Sequence, residues 1–143
     1  MNALSPVERN VLGLPLEPCS TAPMTGVFRD GCCRHHPLDI GRHLICSVMT
    51  DAFLGFTLSR GNDLTTPYPE FGFPGLKAGD RWCVCVDRWI EARNVGVAPL
   101  VDLRATHEAV LASVPLADLK VHTSLGGRIV RPSVSANGFA RLS

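Results

Sequence analysis

Proline and glycine confine regular structure in this 143-residue chain to a few short windows. Pro6, Pro15, Pro18 and Pro23 exclude a long helix from residues 1–30, because proline lacks the N–H that a helix interior needs. Residues 62–79, NDLTTPYPEFGFPGLKAG, form a second breaker-rich run, with Pro67, Pro69 and Pro74. It reads as a long loop, and long loops inside a compact domain are often functional. Two windows escape this punctuation. Arg42 to Met49 reads as a strand, with Leu44, Cys46 and Val48 on one face and His43, Ile45, Ser47 and Met49 on the other. Thr50 then suits an N-cap, with Asp51 in the first turn of a helix to about Ser59 that ends at Gly61. Ala52, Phe53, Phe56 and Leu58 are its expected buried side.

The other window is Arg81 to Val86, a strand with Trp82, Val84 and Val86 facing away from Cys83 and Cys85. A short helix over Asp87–Asn94 is expected next, ended by Gly96. Shorter elements are expected at Met24–Arg29 (strand, closed by Asp30-Gly31), Pro99–Leu103 (strand), Thr106–Ser113 (helix capped by Thr106) and Leu116–His122 (helical turn). Short strands mixed with short helices, without regular alternation, predict an α+β fold. The expectation is a single compact domain over residues 1–123, with a small mixed or antiparallel sheet, short helices and long loops. Residues 124–143, rich in Ser, Gly and Arg, read as a flexible C-terminal extension or an edge strand.

Composition narrows the function classes. The 14 basic and 13 acidic residues give a formal charge of +1, without the basic stripe expected of a nucleic-acid binder. No run approaches the ~20 apolar residues of a membrane span. MNALSPVERNVLGLPLEP lacks the basic-then-apolar order of a secretory signal, so a cytoplasmic location with reduced thiols is expected. A small molecule is therefore the expected partner, rather than nucleic acid or membrane.

The six cysteines and five histidines carry the chemistry. Cys33 follows a glycine turn and precedes Arg34, His35 and His36; positive neighbours favour a thiolate. His43 follows Asp39 by four residues, so the carboxylate can fix the imidazole tautomer and leave the other nitrogen free as a base. Cys33 as nucleophile, His43 as base and Asp39 as orienting group make a thiol–imidazole–carboxylate candidate for transfer or isomerisation chemistry. Arg29, Asn62 and Asp63 are candidate substrate-binding residues, although Asn and Asp after a helix stop commonly hold a turn instead. Tyr68, Phe71, Phe73, Trp82 and Trp89 are pocket-wall or core aromatics.

Two other readings compete. Cys83 and Cys85 would lie on one strand face and, with Cys33 and His43, would make a tetrahedral zinc or copper set. Alternatively the cysteines only pack, as small hydrophobes, in a non-catalytic interaction module. His107 reads as a surface or helix-start histidine. The chain has no GxGxxG opening a helix, P-loop, GxSxG, HExxH or EF-hand loop. Nucleotide-phosphate chemistry and the common hydrolase plans are accordingly disfavoured.

NVLGLPLEPCS, TGVFRDGCC, DIGRHLICSVMTDAFLGF, SRGNDLTTP, FGFPGLKAGDRWCVCVDRW and ATHEAVL occur in this order. Together they resemble the bacterial and plant family called domain of unknown function 2237, over roughly residues 9–122. The resemblance implies family positions at Cys19, Cys33, Cys46, Cys83, Cys85, His43 and His107. It implies no activity. The chain departs from the family pattern at His35-His36-Pro37, which sets those two histidines apart from any shared site.

Overall fold

A computed structural model describes residues 8–125 and 128–129. The protein is α+β, built on a three-stranded antiparallel sheet of order β2-β1-β3. β1 (His43–Val48) is the central strand, flanked by β2 (Arg81–Cys85) and β3 (Leu100–Val101). Leu44, Ile45, Cys46 and Ser47 are all buried, so both faces of β1 are covered. A simple in/out alternation does not survive this double burial.

α1 (Asp51–Ser59) starts where the sequence predicts, with the Thr50 hydroxyl accepting from the Phe53 N–H at 3.0 Å. Gly61 follows its end with φ 91°, a conformation that suits glycine. Its buried stripe differs from the expected one: Phe53, Leu54 and Thr57 are buried, Phe56 is half-buried, and Ala52 and Leu58 are exposed. At 3.6 residues per turn, 53, 54 and 57 form one narrow stripe that leaves 52 and 58 outside.

β2 runs directly into α2 (Val86–Asn94), which buries Val86, Trp89 and Ala92 at helical spacing. The Trp89 indole lies in the centre of the main core and donates to the Pro99 carbonyl at 3.2 Å, satisfying its polar atom. α3 (Leu116–Val121) buries Leu119 against the same core.

Two expected elements are replaced. Met24–Arg29 is a turn rather than a strand: the Arg29 N–H bonds back to the Gly26 carbonyl at 2.9 Å. Thr106 does not cap a helix. Its hydroxyl donates to the Asp102 carbonyl and accepts from the Cys46 N–H, a long-range bond invisible to local spacing. His107 caps the following 3-10 turn (Glu108–Ala112) instead, with Nδ1 accepting from the Ala109 N–H. At the carboxyl end, β4 (Ser124–Leu125) pairs antiparallel with β5 (Arg128–Ile129). The rest of the expected extension lies outside the described residues.

Candidate functional site

The β1–β2 pairing decides where the chemical side chains meet. Cys46 lies opposite Cys83 and His43 opposite Cys85, with an irregularity between His43 and Ile45. Cys83 and Cys85 are alternate residues and so share a face of β2. The irregularity therefore brings His43 and Cys46 to partners on one face, whereas regular alternation had set them on opposite faces. Arg42, with φ 52°, precedes this break.

At the inner end of this face Cys19, Cys33, Cys46 and Cys83 form a separate buried cluster with Ala105. Cys19 is bonded to Cys46 and Cys33 to Cys83, with Cα separations of 5.6 and 5.4 Å, inside the normal range for a bridge. This corrects the expectation of reduced thiols. The partners are 27 and 50 residues apart, so only the fold brings them together. It also removes Cys33 from the position of a ready nucleophile, since it is fully buried and its sulfur is engaged. The zinc or copper set of Cys83, Cys85, Cys33 and His43 is not assembled. Among the described residues, the sulfurs of Cys19, Cys33 and Cys46 lie within 4.8 Å of one another, a set that includes neither Cys85 nor His43.

At the outer end the face is open. The Asp39 carboxylate accepts from the His43 backbone N–H at 2.9 Å and lies 2.7 Å from Nδ1 of the same residue. Asp39 is nearly buried while the imidazole is 43% exposed. Burial alone would raise the Asp39 pKa, but the two hydrogen bonds and the charge of His43 hold it below the ordinary carboxylate value. With a proton on Nδ1 directed at Asp39, Nε2 keeps its lone pair. No partner for Nε2 is found among the described residues. Gly41 leaves room for the ring: a Cβ on it would lie 2.7 Å from Cε1 of His43, so any larger residue would push the imidazole aside.

His43 opens onto two shallow cavities that meet at Trp82. One, of about 220 Å³, lies between His43, Trp82 and the Thr25–Arg29 turn. The other, of about 130 Å³, is lined by His43, Asn62, Trp82 and the free Cys85. A third, of about 260 Å³, continues past Trp82 to Arg29, Asp63, Tyr68 and Phe71. The Arg29 guanidinium lies 5.6 Å from the Trp82 ring centroid, and Phe73 packs on that ring at 5.3 Å. Arg29, His43 and the Asn62-Asp63 pair, from three separate segments, thus surround one indole. Trp89 belongs to the core instead.

The polar loop residues are partly committed to local structure. Asn62 donates to the Thr57 hydroxyl at 3.0 Å. The Asp63 carboxylate accepts from the hydroxyls and N–H groups of Thr65 and Thr66, which lowers its pKa to about 2. Cys32, the other free thiol, lines neither of the cavities that His43 borders. Burial and then the Asp30 carboxylate push its pKa up.

Sequence reasoning missed two features. The sequence offers Cys85 as a packed strand residue or a metal ligand, yet it is the free thiol that shares a cavity with His43. The HxI…CVC pattern on two predicted strands carried a signal, but the register needed to align it was absent. The second is Glu8, whose carboxylate accepts from the Arg34 guanidinium, the His35 N–H and Nε2 of His107. His107 is accordingly a buried, satisfied helix-start residue.

No curated protein matches the chain. The family model described as "Uncharacterized protein conserved in bacteria (DUF2237)" matches residues 9–123, a span that includes every residue of both the cysteine cluster and the open face. The chain therefore belongs to the DUF2237 family.

Proposed function

We propose that the protein binds a small molecule in the cavities around Trp82 and His43 and acts on it through thiol–imidazole chemistry. His43 is the base, oriented by Asp39, and Cys85 takes the nucleophile's role that the sequence assigned to Cys33. The observation that carries this reading is the 2.7 Å Asp39–His43 contact, which engages Nδ1 of a histidine that lines one cavity with the free thiol of Cys85. Residues directly opposite in an antiparallel pair bring their Cβ atoms to about 4.5–5.5 Å, within working reach of a thiol and an imidazole. Cys85 is also the N-cap of α2, where the helix dipole favours a developing negative charge. Arg29 and Trp82 supply a cationic and an aromatic contact, which suits a planar or anionic substrate with an electrophilic carbon. Asn62 and Asp63 border the same space.

Alkylation of the native protein with iodoacetamide, read peptide by peptide across pH, tests this reading. Cys85 is expected to react at least about tenfold faster than Cys32 near neutral pH, and His43→Gln is expected to abolish the difference. Equal rates for the two thiols, or a Cys85 rate indifferent to His43→Gln, would leave the cysteines as structural residues of a non-catalytic module.

A further inference from the structure

The buried cysteine cluster has features that two disulfides alone do not require. The Arg81 guanidinium reaches into it. Nε donates to the Cys19 carbonyl at 2.8 Å, Nη2 pairs with Asp102, and the same Nη2 lies 3.6 Å from Sγ of Cys46. A guanidinium gains little from a neutral disulfide sulfur and much from a thiolate. The four cysteines also approach from separate elements: Cys46 and Cys83 are opposed on paired strands, and Cys19 and Cys33 come from the preceding loop.

Reduction must part the bonded sulfurs to non-bonded contact, about 3.7 Å. That distance is also the edge of a tetrahedron of sulfurs around a zinc ion at about 2.3 Å. The sulfurs of Cys19, Cys33 and Cys46 already lie within 4.8 Å of one another, and Cys83, bonded to Cys33, is the ligand that has to move in on reduction. We infer that Cys19, Cys33, Cys46 and Cys83, when reduced, form a tetrathiolate site for a zinc-class divalent ion.

The chemistry balances through a dithiol reductant. Two dithiols reduce the two disulfides, each dithiol becoming a cyclic disulfide, and four cysteine thiols result. Binding one divalent ion then releases four protons and leaves a site of charge –2, which the Arg81 guanidinium offsets in part. All four ligand residues are almost completely buried, so the proposed role is structural: the ion would tie together the same segments that the disulfides join in the oxidised protein. The proposal is independent of the His43 chemistry and uses a different ligand set from Cys85 and His43.

The test is titration of the full-length protein with Co²⁺ after reduction and removal of the reductant, followed by displacement with Zn²⁺. One equivalent of Co²⁺ is expected to bind with the thiolate charge-transfer bands and intense visible bands of tetrahedral cobalt. The oxidised protein is expected to bind none. Cys46→Ser should weaken binding by at least about 100-fold, since losing a direct ligand exceeds the usual outer-shell effect. Cys85→Ser should leave it unchanged. Absence of uptake by reduced, folded protein overturns the proposal. If reduced protein unfolds, recovery of its circular dichroism on adding Zn²⁺ supports the site, and failure to recover sinks it. Binding that survives Cys46→Ser, or disappears in Cys85→Ser, moves the ion to another site and also overturns the proposal.

Discussion

Cys83 and Cys85 occupy alternate positions on one strand, yet they belong to two different chemistries. Cys83 is buried and bonded to Cys33 beneath the loop that carries Cys19 and Cys33. Cys85 is free and half-buried beside His43, at the edge where the loop no longer covers the sheet. The same residue type on the same face is thus cross-linked at one position and available at the next. Coverage makes the difference: a thiol under a loop meets other thiols, and a thiol at the margin meets solvent and an imidazole.

The largest way to break this contrast is to remove the inner cross-links. Replacing Cys33 and Cys83 together by serine in the oxidised protein is expected to cost about 4 kcal/mol in urea unfolding, and replacing Cys19 and Cys46 about 3.5 kcal/mol, because the longer loop loses more chain entropy. A loss below about 1 kcal/mol for either pair would show that the bonds do not restrain the unfolded chain as drawn.

Asp39→Asn sharpens the outer half. It removes the charged acceptor of two hydrogen bonds while leaving the cysteine cluster alone, at an expected cost of about 1–2 kcal/mol. The folded Asp39 pKa lies below its ordinary value of 3.8, so its contribution is fully present above that pH and is lost as pH falls through the folded value. The variant should therefore lack part of the wild-type decline in acid; identical acid profiles would remove Asp39 from any stabilising role.

Gly41→Ala is a subtler probe. The new methyl displaces the His43 ring, so Cys85 alkylation should slow severalfold while the melting temperature shifts little. An unchanged rate would mean that the ring position does not matter to the thiol. The smallest expected effect is at Asp63, fully exposed and tied to Thr65 and Thr66. Its side-chain carbon resonance should titrate with a midpoint near about 2, against an ordinary 3.8. Any stability it confers is present above 3.8 and fades as pH falls toward about 2. A midpoint at the ordinary value would dissolve the turn as described.

Much of the fold was legible because its signals are local. Thr50, Asp51 and Gly61 mark the ends of α1, and the apolar runs at 43–48 and 81–85 mark the strands, each within a few residues. Asp39 and His43 are also local, four residues apart around a glycine, and their contact could be anticipated. What failed was non-local. Thr106 resembles a helix cap, but its hydroxyl is claimed by Asp102 and Cys46. Met24–Arg29 has strand-like composition, but the bond from Arg29 to Gly26 closes it into a turn.

The sequence by itself determined α1, the two longer strands with their chemical content and the Asp39–His43 unit, because capping, periodicity and short-range hydrogen bonds act within a turn or two of chain. Only the tertiary structure decided which cysteines meet, since the register between β1 and β2 and one irregularity after His43 set Cys46 against Cys83 and His43 against Cys85. Those contacts join residues tens of positions apart, and no local pattern encodes the packing that brings them together.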